Sequence, residues 1–412
     1  MKKISLFSAA GLLFLVSGPA FADIPGHDNP PISIETGDWL FTFGGFAQTS
    51  YIFSSFNDSS VPDEANPNNV HQTRYGFANL NARLSFGMNY NDFLTAKISI
   101  DSGGGFDTFN GGGSGDISLK DAYMDFDIVS GFRVKLGHIK PPVGFEQRTS
   151  ETDSDFSYRS FISGGGSSSL VSQKSIGHRI EPSRELGLEM YSDILDYGSV
   201  GFRYSVAVTN GYTGLDFSNY DGAVFFYGRL ELDLMKSLYD DVSEGHFMSF
   251  ALNGSYGMAY DDTTENEHPD IGDASAASVS GEIRVNVKGF HLDFEAFWKK
   301  YMWGADGARP VFGYPEFEPK NELNVFATVV QASYLIPIEY CRFQIGYRFA
   351  MHHPLDADLN EDQDTDTTEH TVSLGYLVEN YPITVRLDYG YYDEWGGRLK
   401  GHTVSGMVQV KW

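Results

Sequence analysis

The stretch FANLNARLSFGMNYNDFLTAKISID, Phe77 to Asp101, decides the fold. Its even positions from 78 to 90 read Ala, Leu, Ala, Leu, Phe, Met and Tyr, while the odd positions from 79 to 91 read Asn, Asn, Arg, Ser, Gly, Asn and Asn. Beyond Asn91-Asp92 the pattern resumes, with Leu94, Ala96, Ile98 and Ile100 opposite Thr95, Lys97, Ser99 and Asp101. Period two is the strand signature, and Asn-Asp between two such runs predicts a tight hairpin turn. This hairpin has an apolar side and a polar side, and the class of the molecule depends on which faces inward.

The same alternation recurs to the C-terminus, in GSVGFRYSVAVTN, SGEIRVNVKGFHLDFEAFW, RFQIGYRF, ITVRLDYGYY and TVSGMVQVKW. It predicts sixteen strands at 39–53, 74–91, 93–101, 117–128, 132–140, 184–194, 198–210, 222–236, 246–260, 275–288, 290–302, 323–335, 341–351, 369–379, 382–393 and 401–412. Short links (Asn91-Asp92, Val129–Gly131, Leu195–Tyr197, Gly289, Asn380-Tyr381) alternate with long ones (54–73, 102–116, 141–183, 261–274, 303–322, 352–368). That alternation is the mark of an outer-membrane barrel, with tight periplasmic turns and long outer loops. A soluble sandwich would bury its apolar face against a second sheet. It would not need Arg83, Lys97, Arg203, Arg284, Arg348 and Arg386 on the other face of so many long strands. The apolar face is therefore expected to meet lipid and the charged face to line a water-filled lumen. Closure pairs every backbone group, as hydrocarbon requires.

Composition agrees with this class. The segment MKKISLFSAAGLLFLVSGPAFA has two lysines, an apolar run from Leu6 to Val16 and an Ala20-Phe21-Ala22 site, which predicts a signal peptide over 1–22. The run falls short of the roughly 20 apolar residues that span a bilayer. A short periplasmic segment, 23–38, is then expected to precede a single barrel, 39–412. The only cysteine is Cys341, so no internal disulfide can form. Gly (45), Tyr (24) and Phe (32) are abundant, as turn-rich antiparallel sheet requires. The formal charge of −26 becomes −28 once Lys2 and Lys3 are removed, which argues against nucleic-acid binding.

At VKLGHIKPPVGFEQRTSETDSDFSYRSF, Val134 to Phe161, the chain resembles the phosphate-selective porin O and P family. The matching residues are Gly137, Lys140, Pro141, Pro142, Phe145 and Glu146, supported by the upstream LKDAYMDFDI and the terminal VQVKW. The resemblance implies a homotrimer of sixteen-stranded barrels in the outer membrane, with the third long loop folded inward. It also implies partners in lipid and lipopolysaccharide, and small hydrophilic solutes or ions as cargo. Trp412 resembles the terminal aromatic by which such barrels are recognised for assembly. One departure is plain: no lysine-rich outer vestibule is present, and the long loops are acidic.

The inward strand positions are expected to carry Arg83, Lys97, Arg133, Lys135, Arg203, Arg229, Arg284, Lys299, Arg342, Arg348 and Arg386. They are also expected to carry Asp121, Asp125, Glu185, Glu189, Glu231, Glu282, Asp293, Glu295 and Asp388. Opposed charged walls orient dipolar solutes and set ion preference, and neutral pairs also keep a lumen wet. The link 141–183 is the longest, about 43 residues, and a loop of that length in a compact domain is usually functional or disordered. Its first half is aromatic and charged, so it is expected to enter the lumen and form the constriction. Glu151, Asp153 and Asp155 would then approach Arg83, Arg203, Arg348 and Arg386.

Other chemistries find less support. In HHPLDADLNEDQDTDTTEH (352–370) the alternate carboxylates suggest calcium, but an EF-hand loop needs Gly and Glu where Glu361 and Thr367 stand. The sequence holds no G-x-S-x-G, Walker or H-E-x-x-H motif, so no catalytic residue, metal site or cofactor is expected. The sequence thus points to passive diffusion of ions and small hydrophilic solutes. A phosphate- or anion-selective channel is the alternative, with a rim-site hydrolase or an adhesive barrel behind it.

Overall fold

The structure is a computed structural model describing residues 32–58, 70–91, 93–102, 117–150, 153–163, 184–197, 200–210, 224–234, 247–259, 274–303, 322–338, 341–355, 366–378, 382–394 and 399–412. The predicted signal peptide, residues 1–22, lies outside them. The strands are β1 (Ile32–Thr36), β2 (Trp39–Asp58), β3 (Val70–Tyr90), β4 (Leu94–Asp101), β5 (Ser118–Val129) and β6 (Phe132–Ile139). There follow β7 (Glu185–Tyr191), β8 (Leu195–Tyr197), β9 (Val200–Thr209), β10 (Val224–Asp233), β11 (Phe247–Ala259) and β12 (Ala274–Val287). The last are β13 (Phe290–Trp303), β14 (Glu322–Ile338), β15 (Cys341–Pro354), β16 (Thr367–Val378), β17 (Ile383–Glu394) and β18 (Leu399–Lys411).

Successive strands pair antiparallel, and β18 pairs back onto β2 from Leu399↔Asp58 to Lys411↔Phe46, which closes the sheet. Two of the eighteen strands are not separate staves. The short β8 continues β7 along β9, with the register displaced by one residue across Ser192–Ile194. At the seam, Gly45 and Trp412 exchange backbone hydrogen bonds of 2.8 and 2.9 Å. Below them β1 takes over as the neighbour of β2, from Ile32↔Phe43 to Thr36↔Trp39. The result is a closed barrel of sixteen antiparallel staves, as the alternation predicts.

Burial fixes the sense of the wall. Leu84 is 56% and Ile98 51% exposed, whereas Arg83, between outward neighbours, is 7% exposed. Phe86, Val206, Val385 and Val408 also point outward, and Arg229, Arg348 and Arg386 are buried inside. A one-residue slip would invert every one of these side chains, so the register is strongly specified. The alternation is reset once within β3, where Ser50 faces Asn79 but Tyr51 faces Phe77. Ala78 is the extra residue of this bulge, which is why Tyr75 and Phe77 are outward on odd numbers while Leu84 and Phe86 are outward on even ones.

Hairpin chemistry follows the sequence. Lys288 (φ 51°) and Gly289 (φ 81°) form the two-residue connection of β12 and β13, the positive-φ pair that a type I′ turn demands. Two expectations need correction. Leu195–Tyr197 is the strand β8 and not a turn, because three residues are too few to display a period. Nor is the alternation of link lengths strict: 235–246 falls at the short-turn end of the barrel, and 395–398 at the long-loop end. Large apolar side chains of the third long link are fully enclosed, with Phe145, Phe156, Phe161 and Ile162 at most 3% exposed. The barrel is therefore packed at one level by its own chain.

Candidate functional site

That packing begins where β6 ends. Gly137 has φ 126°, and a Cβ there would stand 2.1 Å from the Ala122 carbonyl oxygen, so only glycine fits this crossing. Gly144 (φ 80°) turns the chain into a single helical turn, α1 (Phe145–Arg148). The Lys140 ammonium lies 3.5 Å from the Arg148 and Thr149 carbonyl oxygens at its C-terminal end, where a cation is favoured. Glu146 then ties the segment to itself. Its carboxylate accepts from the Ser160 backbone N–H at 3.0 Å, the Ser160 hydroxyl, and the Ser163 hydroxyl at 2.5 Å. Arg159 donates to the Gln147 Oε1 and Thr149 carbonyl oxygens, both at 2.9 Å.

This self-bonded segment is fastened to the inner wall by carboxylates. Glu295 of β13 accepts from the Phe145 N–H at 2.9 Å, Asp388 of β17 from the Ser157 N–H at 2.7 Å, and Glu369 of β16 from the Phe161 N–H at 3.0 Å. These are charge-assisted bonds, about twice as strong as neutral ones, and those of Phe145 and Phe161 are buried. Arg348 of β15, fully buried, reaches Glu369 at 2.5 Å, Glu146 at 3.5 Å and the Tyr158 carbonyl at 2.6 Å. Its guanidinium also lies 4.8 Å from the Phe156 ring centroid and 5.3 Å from that of Tyr158.

Asp155 reverses the arrangement, with the loop providing the acid and the wall the donors. His291 Nδ1 stands 2.6 Å from its carboxylate, Ser333 donates at 2.7 Å and Gln344 at 2.6 Å. Burial alone would raise the Asp155 pKa, but the His291 bond and charge with the two other donors hold it below the usual carboxylate value. On the other flank Arg148 lies 3.9 Å from Glu231. Burial and the neighbouring Arg229 lower the Arg148 pKa to about 10, against the pull of Glu282 and Glu231.

The loop thus touches the wall from β9 and β10 through β13–β18 to β2, and leaves the β3–β7 side of the lumen to a charge ladder. Arg83 meets Asp101 at 2.7 Å, Lys120 meets Asp101 at 3.8 Å, and Lys97 meets Asp121 at 3.8 Å. Arg184 meets Asp121 at 2.6 Å, Arg133 meets Asp125 at 3.4 Å, and Lys135 meets Glu189 at 3.4 Å. A second ladder crosses β10 to β13, with Arg229 between Glu231 (2.8 Å) and Glu282 (2.6 Å), then Arg284 on Asp293 at 2.8 Å. Between loop and first ladder lies a cavity of about 490 Å³ lined by Arg83, Lys97, Asp121, Ser150, Asp153 and Lys411. Asp153 bridges to Lys411 of β18 at 3.2 Å across its edge.

Of the sequence-selected wall residues, Arg83, Arg229, Arg348, Arg386 and the nine carboxylates are buried, while Lys97, Arg133, Lys135, Arg203, Arg284, Lys299 and Arg342 are partly covered. The loop acids find these partners among the described residues. Glu151 lies outside the described residues. Asp153 bonds Lys411 and Asp155 bonds His291, whereas Arg83 is satisfied by Asp101, and Arg348 by Glu369 and Glu146. Arg203 stands opposite Glu231 in the ladder. Arg386, one of the expected cations, interacts with both Asp155 and Asp153. The wall acids Glu295, Glu369 and Asp388 bind loop amides, and no side-chain pattern announces such a role. His291, on an inward position of β13, was legible as polar but not as the acceptor's partner.

The profile of one protein family, phosphate-selective porin O and P, matches residues 54–393. Comparison with curated proteins returns no match. Among solved structures, the outer-membrane channel DcaP of Acinetobacter baumannii is similar at 13% identity and a TM-score of 0.52, covering 93% of this chain and 100% of its own. OmpT of Vibrio cholerae is similar at 11% identity and 0.51, and OmpF of Salmonella typhi in complex with daunomycin at 12% and 0.51. Each of these two covers 92% of this chain and 100% of its own. At such identities the likeness concerns the fold.

Proposed function

The chain belongs to the phosphate-selective porin O and P family and is an outer-membrane porin, and on that footing we propose that its third long loop is a fixed constriction. Ions and small hydrophilic solutes pass by diffusion between that loop and the β3–β5 wall. The observation that carries this reading is the fastening of the loop by Glu295, Asp388 and Glu369 to one side of a closed barrel. Charges in so narrow a passage interact more strongly than in bulk water. Around the cavity, Arg83, Lys97 and Lys411 outnumber Asp121 and Asp153, which gives a weak preference for anions.

The family description supports phosphate as one such anion. Saturable block of chloride current by phosphate is the outcome that reading requires. The protein performs no catalysis in this account, assembles as a homotrimer, and is exported by the predicted signal peptide. Planar-bilayer recording tests the core of the proposal. Purified, folded protein should give stepwise conductance with reversal potentials slightly on the anion side, and a folded protein without conductance steps would remove it.

A further inference from the structure

The cavity between the third loop and the wall is lined by two exposed charges of opposite sign. The Lys97 side chain, on β4, is 39% exposed, and that of Asp153, in the loop, is 56% exposed. The other charged groups around the cavity are better covered. Arg83 meets Asp101 at 2.7 Å, and Asp121 accepts from Arg184 at 2.6 Å and from the Ser99 hydroxyl at 2.7 Å. Lys411, the less exposed partner of Asp153, lies 3.2 Å from it.

Lys97 is the loosely held member of this set. Among the described residues its ammonium makes no hydrogen bond, and the nearest carboxylate oxygen, on Asp121, stands 3.8 Å away. An ammonium carries three donors, and these are open to a solute. The direct partner of Lys97 on β3 is Gly87, which has no side chain to cover it. A Cβ at Gly87 would stand 2.3 Å from the Thr42 hydroxyl oxygen, so the position is kept small by its own neighbour. Thr42, Ser85 and Ser150 add hydroxyls that can donate or accept.

A simple anion drawn to Lys97 also meets the carboxylates of Asp121 and Asp153, and a simple cation drawn to Asp153 meets Lys97 and Lys411. A net-neutral solute with a carboxylate at one end and an ammonium at the other satisfies both signs at once. Opposed charges in a passage orient such a dipole. The volume, about 490 Å³, is within the range of small-molecule sites. We infer that the cavity is a transit subsite for amino-carboxylate zwitterions of amino-acid to dipeptide size, with Lys97 receiving the carboxylate and Asp153 the ammonium. This rests on the reading that the cavity lies on the permeation path.

The test is open-channel current through the full-length protein in planar bilayers at neutral pH, with three probes added in turn. Glycylglycine carries both charges, N-acetylglycylglycine only the carboxylate, and glycylglycinamide only the ammonium. Glycylglycine should reduce the current saturably, at lower concentration than either relative. K97Q should weaken block by glycylglycine and by the acetylated form about threefold, the size of one exposed ion pair, without weakening block by the amide. D153N should do the reverse, weakening block by glycylglycine and the amide and sparing the acetylated form. This crossed pattern separates charge recognition from a shift of the loop, which would weaken all three alike. Equal block by the three probes would overturn the inference, as would variants that weaken all three alike. Stronger block by inorganic phosphate than by glycylglycine, lost in K97Q, would assign Lys97 to simple anions and overturn it too. Current without solute reports the constriction by itself. A conducting channel that none of the probes reduces would therefore overturn this inference and leave the porin reading standing.

Discussion

Asp155 in the third loop and His291 on the barrel wall stand 2.6 Å apart, and the pair joins segments separated by 136 residues of sequence. Their contact differs from the neighbouring fastenings, in which wall carboxylates hold loop amides. Here a loop carboxylate is held by three wall side chains, His291, Ser333 and Gln344. Two consequences follow for pH and for mutation.

The first is a pH window. The folded Asp155 pKa lies below its ordinary value of 3.8, so its contribution to loop docking is complete above that value and is lost as pH falls through the lower folded value. Conductance and noise should stay flat on acidification from neutrality to about pH 4.5, by that linkage argument. Below the ordinary carboxylate range, current noise should rise in wild type, and D155N should show that noise already at neutral pH. A noise transition near neutral pH would assign control to another group.

The buried Arg348–Glu369 pair makes a stability prediction. Both side chains are fully buried, and if Glu369 is neutralised Arg348 keeps the Tyr158 carbonyl at 2.6 Å but loses its short carboxylate contact, Glu146 standing farther off at 3.5 Å. Breaking such a pair by removing one partner should cost roughly 3 kcal/mol. Denaturant unfolding of E369Q in lipid vesicles should show that loss, and E369Q should also loosen the Phe161 end of the loop. A cost under about 1 kcal/mol would mean that water reaches this pair.

Charge selectivity should answer to Lys97. Its side chain is 39% exposed in the cavity and its nearest carboxylate, Asp121, is 3.8 Å away and already bonded by Arg184 at 2.6 Å. K97E should shift the reversal potential in a salt gradient toward cations, with little change in stability. An unmoved reversal potential would place the permeation path elsewhere in the lumen.

Outside the barrel the sign of substitution is opposite. Leu374 is half exposed to lipid, and L374R should cost roughly 2–4 kcal/mol near the bilayer midplane. The measurement is vesicle refolding, and a neutral effect would contradict the register of β16.

Much of this was legible in the sequence. Alternation across Leu84, Arg83 and their neighbours gives strand, face and closure together, because a two-residue period has only two possible phases. The positive-φ turn at Lys288-Gly289 was equally plain. The bulge at Ala78 was not, since one inserted residue changes phase without changing composition. Nor were the partners of the loop acids. Asp155 could have met any inward cation, and it found a histidine because pairing across the lumen is set by where the loop lies, not by spacing along the chain. The Glu295, Asp388 and Glu369 fastenings are hidden for the same reason: their partners are backbone amides, which every residue but proline offers.

The proposed narrowing of the lumen by the third loop is open to direct measurement. Its most direct test is the single-channel conductance of a variant in which residues 151–170 are deleted, with heat-modifiable mobility confirming an assembled barrel. A larger conductance step and weaker ion selectivity are expected, since Asp153, Asp155 and the Phe156–Ile162 packing leave the passage together. An assembled deletion variant with unchanged conductance would contradict it.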